Sequence, residues 1–178
     1  KAAYSSGRPS LGVGAGNTPA LIDSTAHLKM AVSSIILSKT FDNGMICASE
    51  QSVIVVDDVY DEVKQEFINR GAYFLTLQER EQLGQKIVID GHLNPEIVGQ
   101  PVQQLAALGG FSIPENTRVI IAEVEKIGKD EPFSFEKLSP ILAMYRAQDY
   151  ADGVDKAEQL VQFGGRGHTA VLYTSPNN

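Results

Sequence analysis

Ser52-Val53-Ile54-Val55-Val56-Asp57-Asp58 is the stretch that decides the fold class. Four consecutive β-branched residues without polar alternation read as a strand buried on both faces, the pattern of parallel sheets. The acidic pair that follows suits a helix N-terminus, where aligned peptide dipoles favour negative charge. Val63, Phe67 and Ile68 then share one helical face, and Gly71 stops the helix. Upstream, Leu28, Ala31, Val32, Ile35 and Ile36 recur at helical spacing over residues 26–39, behind the capping cluster Asp23-Ser24-Thr25. Before that cluster, Pro19-Ala20-Leu21-Ile22 reads as a short strand. Phe41-Asp42-Asn43-Gly44 ends the helix, with Gly44 in a turn. Downstream the pattern predicts helices over 77–89, 101–108 and 149–163. It predicts strands over 118–122 and 141–146, and a last strand starting at His168 and running to Tyr173. Strands alternating with helices predict one α/β domain over residues 1–178, a three-layer α/β/α arrangement with a largely parallel sheet.

Composition narrows the possible partners. The 178 residues contain no tryptophan, so the core is built from Val, Ile, Leu and Ala. The formal charge of −7 is spread among interspersed acids and bases, with no basic stripe. That disfavours nucleic acid, whose phosphates require clustered positive charge, and anionic membrane surfaces likewise. Apolar runs are interrupted well before membrane-spanning length. A single cysteine makes no internal disulfide and fits a reducing, cytoplasmic compartment. No short-spaced His, Cys or Asp set suggests a metal site. Lys1 at the start and Ser175-Pro176-Asn177-Asn178 at the end give the expectation of a piece cut from a longer protein.

Four places carry possible chemistry. Gly12-x-Gly14-x-Gly16 leads through Asn17-Thr18 into a strand. A dinucleotide fingerprint needs the glycines between a strand and a helix, so close approach of a ligand or another backbone is the better reading. Cys47 lies in a loop after a helix and before the buried strand. A lone cysteine is ordinarily a small buried hydrophobe; in a loop at a sheet end it is also a candidate nucleophile, given a setting that favours the thiolate. His168 follows Gly164-Gly165-Arg166-Gly167 and reads either as a structural residue at a strand entry or as an acid–base group near neutral pH. Glu136, before the 141–146 strand, reads on its own as a solvated loop carboxylate. His27 and His92 read as surface residues.

Taken together these segments resemble the catalytic domain of the aldehyde dehydrogenase superfamily, in its CoA-acylating branch, and within that the aldehyde dehydrogenase half of bifunctional aldehyde–alcohol dehydrogenases. The resemblance runs through Gly12-Val13-Gly14-Ala15-Gly16-Asn17-Thr18-Pro19, through residues 39–52 around Cys47, through Phe135-Glu136-Lys137-Leu138-Ser139-Pro140 and through Gly165-Arg166-Gly167-His168, in family order. It implies an acetaldehyde–acetyl-CoA interconversion with a thioester on Cys47, whose backbone N–H helps form an oxyanion hole. It implies NAD held at its ribose by Glu136, coenzyme A as co-substrate, and His168 near the acyl or CoA end. It also implies small-molecule aldehyde and acyl-CoA as partners, and a homo-oligomer for the full-length enzyme. Val13 stands where the hydrolytic branch carries a water-activating glutamate, so the acyl group is expected to await CoA. The dinucleotide-binding and oligomerisation segments and the oxyanion-hole asparagine are expected outside these residues, and the segment alone is expected to turn over little. Two other readings remain from the residues themselves: a cysteine hydrolase using Cys47 and His168, and a non-catalytic assembly domain with an inert thiol.

Overall fold

The computed structural model describes residues 5–9 and 16–175. Among the described residues five helices of two turns or more flank a six-stranded sheet. In chain order the described elements are β1 (Pro19–Ile22), α1 (Leu28–Thr40), β2 (Ser52–Val56), α2 (Asp57–Asn69), β3 (Ala72–Phe74), α3 (Leu77–Ile87), β4 (Val88–Ile89), β5 (His92–Leu93), α4 (Val102–Gly109), β6 (Val119–Glu123), β7 (Ile141–Ala147), α5 (Tyr150–Gly164) and β8 (Val171–Tyr173). The sheet order is β3-β6-β7-β2-β1-β8, and each of its ladders is parallel. Central register pairs Pro19 with Ser52 and Ser52 with Ala143.

The β-branched run is central and buried throughout. Its residues divide between two cores, as a pleated strand requires. Val53 and Val55 join Ala31, Val32, Ile35, Ile36, Val63 and Phe67 under α1 and α2. Ile54 joins Leu83, Ile87, Leu105 and Leu160 under α3, α4 and α5. The three-layer α/β/α sandwich with a parallel sheet is therefore the architecture.

Two sequence expectations are corrected, and one strand is added. The helix expected over 77–89 ends at Ile87, and Val88–Ile89 pairs antiparallel with His92–Leu93. Asp90 and Gly91 turn that hairpin at φ 52° and 75°; Asp-Gly tolerates two successive positive φ values, as a tight hairpin turn demands. The short edge strand β3 was unread because three residues carry too little pattern. Strand β8 begins at Val171, and His168 lies in the turn before it. Gly165 and Gly167 at φ 122° and 98° prevent an earlier start.

Candidate active site

In a parallel sheet the amino ends of all strands lie along one edge. At that edge β7, β2, β1 and β8 are consecutive neighbours. Residues 134–140, 44–51, 16–18 and 165–170 lead into them. The segments singled out from sequence therefore converge, on the amino edge. Open α/β sheets ordinarily bind ligands at the carboxyl edge.

Cys47 sits in the turn between α1 and β2, with its side chain exposed. The turn is entered through three successive left-handed residues, Asp42, Asn43 and Gly44, at φ 47°, 49° and 71°. Asp and Asn tolerate that region better than most residues, yet it remains costly and marks sites where surroundings hold the backbone in place. Here the holders are identifiable. Asn43 donates through Nδ2 to the Gly99 carbonyl at 3.0 Å. A Cβ on Gly44 would stand 2.7 Å from the backbone carbon and oxygen of Ser139, so only glycine closes the loop on its neighbour. Met45 and Ile46, 44% and 43% exposed, leave an apolar collar next to the thiol.

Thr18 links two of the converging segments. Its buried hydroxyl lies 3.4 Å from the Cys47 carbonyl oxygen and 3.3 Å from His168 Nδ1. The Thr169 N–H donates to the same Nδ1 at 2.9 Å. Nδ1 is thus an acceptor, and a neutral His168 carries its proton on Nε2. The ring lies directly over Gly16, where a Cβ would approach it to 2.7 Å. What approaches Gly16 closely is the His168 side chain, in place of the ligand or second backbone expected at the glycine segment. Gly12, Val13 and Gly14 lie outside the described residues. Asn17 braces the segment from below: its Nδ2 donates to the Ser134 carbonyl at 2.6 Å and its Oδ1 accepts from Ser52 Oγ at 3.1 Å.

Glu136 is half-buried in the loop before β7. Beside it are two fully buried lysines that the sequence reading did not single out. Lys39 donates to Gln51 Oε1 at 3.1 Å. Burial pushes its ammonium down to about 7, with the Glu50 and Glu136 carboxylates pulling it back up. Lys137 donates to the Phe133 and Phe135 carbonyls at 2.8 and 2.9 Å. Burial holds it well below the ordinary lysine value, and the Lys39 charge adds to the depression, against Glu131 and Glu136. Lys39 was legible in principle: it extends the stripe Val32, Ile35, Ile36 by one further turn, a core position on the helix. His27 caps α1 from an exposed position, accepting from the Met30 N–H. His92 is exposed in the hairpin. Among the described residues, no group of three or more His, Cys, Asp or Glu is placed to hold a metal ion. No helix among the described residues is long and apolar enough to cross a membrane.

Thr18 thus stands between Cys47 and His168, with one hydroxyl proton to donate to either acceptor, and Glu136 stands on the adjacent loop, tied to this group through the Lys137 backbone and Gln51. Known proteins are similar to this chain in sequence and fold. Residues 2–82 match the model of the aldehyde dehydrogenase family. A bifunctional aldehyde-alcohol dehydrogenase of Escherichia coli K12 is 58% identical over all 178 residues, which cover 20% of its length. An acetylating aldehyde dehydrogenase from Geobacillus thermoglucosidasius superposes with a TM-score of 0.94 at 43% identity, over 99% of this chain and 39% of that one. A propionaldehyde dehydrogenase of Rhodopseudomonas palustris, with bound CoA and an acylated cysteine, superposes with a TM-score of 0.85 at 27% identity, over 98% and 39% of the two chains. The chain is similar to the aldehyde dehydrogenase family. Within it, the similarity is to acylating members and to the aldehyde dehydrogenase region of bifunctional aldehyde-alcohol dehydrogenases, of whose length the chain spans about a fifth.

Proposed function

We propose that this chain is the thiol-bearing catalytic segment of a CoA-acylating aldehyde dehydrogenase that interconverts acetaldehyde and acetyl-CoA through a thioester on Cys47. The observation that carries the reading is the exposed Cys47 thiol on the same sheet edge as the Thr18–His168 pair and the Glu136 loop. In the oxidative direction the Cys47 thiolate attacks the aldehyde carbon, forming a C–S bond and placing negative charge on the former carbonyl oxygen. The family resemblance assigns the Cys47 backbone N–H as a donor for that charge, and one such donor is worth about 3 kcal/mol in acyl chemistry. NAD supplies a hydride acceptor that leaves an acyl group on sulfur, and coenzyme A supplies the thiol that removes it. Glu136, half-exposed, fits a pair of ribose hydroxyls as their acceptor. His168 fits a donor role: with Nδ1 engaged by Thr169, its Nε2–H is the face free to deliver or share a proton. The same geometry disfavours a cysteine–histidine hydrolase, which requires an unprotonated imidazole nitrogen aimed at the thiol. Val13, in place of a carboxylate, supplies no base for water, which supports release to CoA rather than hydrolysis.

The reading extends to a cytoplasmic, homo-oligomeric full-length enzyme that acts on small molecules. By itself the 178-residue chain is expected to turn over little; robust NAD-dependent acetaldehyde oxidation by it would overturn that expectation. The central test is Cys47→Ala in the full-length enzyme. Acetyl-CoA-dependent oxidation of NADH is expected to vanish, together with the acyl adduct seen by mass spectrometry on the Cys47 peptide. Retained activity refutes the assignment.

A further inference from the structure

Gln51 touches every loop of the candidate site except the His168 turn, and the reaction scheme gives it no task. It is fully buried just before β2. Its Oε1 accepts two hydrogen bonds, from Lys39 Nζ and from the Lys137 backbone N–H, each at 3.1 Å. Its Nε2 donates to the Ser49 carbonyl at 3.4 Å, two residues after Cys47. Its backbone N–H donates to the Thr18 carbonyl at 2.9 Å, and its carbonyl accepts from the Ala143 N–H at 3.2 Å. One amide side chain therefore joins the end of α1, the cysteine turn and the residue next to Glu136.

This hub is expensive. Two lysine amino groups are fully buried beside each other, Lys39 also beside Glu50, whose Oε2 has no hydrogen-bond partner among the described residues. Replacing buried ionic groups by apolar side chains of similar volume is often stabilising. Polar clusters that cost stability concentrate where function requires a fixed geometry.

We propose that Gln51, with Lys39 as its cationic arm, is a positioning residue that sets the Cys47 turn at a fixed distance from the Glu136 loop. Neither side chain touches the reacting atoms in this arrangement. Their role is to keep sulfur and nucleotide in register, and displacements near 1 Å cost on the order of a hundredfold in rate. The inference rests on the functional reading above and has its own test.

In the full-length enzyme, Gln51→Met keeps chain length and removes both the acceptor and the donor. Its kcat is expected to fall at least tenfold and its KM for NAD to rise. Hydrogen exchange is expected to quicken at residues 44–49 and 135–139 together, with β2 and β7 still protected. Gln51→Glu retains the acceptor for Lys39 Nζ and the Lys137 N–H but loses the donor to the Ser49 carbonyl, so it is expected to restore protection at residues 135–139 and to leave 44–49 exchanging quickly. A side chain that merely fills the core gives no such split, so loss of protection at 135–139 in Gln51→Glu equal to that in Gln51→Met overturns the proposal. Unchanged kcat in a folded Gln51→Met enzyme, or faster exchange there in one loop only, also overturns it. Should Gln51→Met fail to fold, Lys39→Met removes one arm alone; an unchanged kcat there overturns the proposal. The two readings separate cleanly. An active Cys47→Ala enzyme removes the functional assignment, whereas an inactive Cys47→Ala beside a fully active Gln51→Met removes only the positioning role.

Discussion

The two edges of the sheet are built to opposite standards. At the carboxyl edge the charges are exposed and matched. Arg146 pairs with Asp57 and Asp61 and lies 3.8 Å over the Tyr60 ring. Lys64 meets Glu123 at 2.7 Å, and the Tyr60 hydroxyl donates to the same carboxylate at 2.9 Å. At the amino edge Lys39, Lys137 and Glu50 are buried, burial disfavours the charged form of both lysines, and the cysteine turn runs through three left-handed residues. By the usual rule for open α/β sheets the carboxyl edge would hold the ligand. The physical state of the groups points the other way: perturbed, imperfectly satisfied groups cluster where chemistry is done, while well-paired surface charges do little more than stay solvated.

Substitutions at the two edges make the contrast measurable. The largest expected effect is at Cys47, where Cys47→Ala should lower turnover of the full-length enzyme by at least about a thousandfold in a coupled NADH assay, as loss of a nucleophile does elsewhere. Next comes Gly44→Ala. It places a Cβ at φ 71° and 2.7 Å from the Ser139 backbone, so a loss of about 2–4 kcal/mol is expected in urea unfolding.

Lys39→Met should act through pH. The folded-state value of about 7 lies below the ordinary 10.5, so the unfolded chain holds that proton more tightly. The resulting penalty, on the order of a few kcal/mol, is complete below pH 7 and fades as pH rises toward 10.5. Wild-type stability should therefore climb from pH 7 to 9, and Lys39→Met should climb less, with Lys137 supplying the remainder. Equal slopes in denaturant titrations would contradict this burial argument. Smallest is Arg146→Ala at the carboxyl edge, expected to cost no more than about 1 kcal/mol and to leave turnover within twofold; a large loss of activity there would erase the contrast between the edges.

Much of this was legible in the sequence, for physical reasons that also explain the misses. The buried strand Ser52–Val56 and the helices around it announce themselves by period, because a whole face must be apolar. Val88–Ile89 continued the apolar pattern of α3, and only the two-residue Asp90-Gly91 turn reveals the hairpin. The loops bearing Cys47, Glu136 and His168 stand out by residue type and motif. The groups that connect them do not, since their partners are remote in sequence: Thr18 and His168 are 150 residues apart, and Gln51 and Lys137 are 86 apart. A buried lysine is written with the same letter as a solvated one. Only the helical stripe that ends on Lys39 hints at the difference.

The closure of the Gly44 turn on Ser139 also fixes a timetable. Asn43 waits for Gly99, Gly44 for Ser139, Gln51 for Lys137 and Ala143, and Thr18 for His168. During synthesis the amino-terminal part of a chain emerges first. The cysteine is therefore made early, while the surfaces that shape its turn arrive some 90 residues later, after a delay of several seconds at ordinary elongation rates. Until then Cys47 is an ordinary thiol on a nascent chain, open to whatever oxidants or electrophiles the surroundings hold.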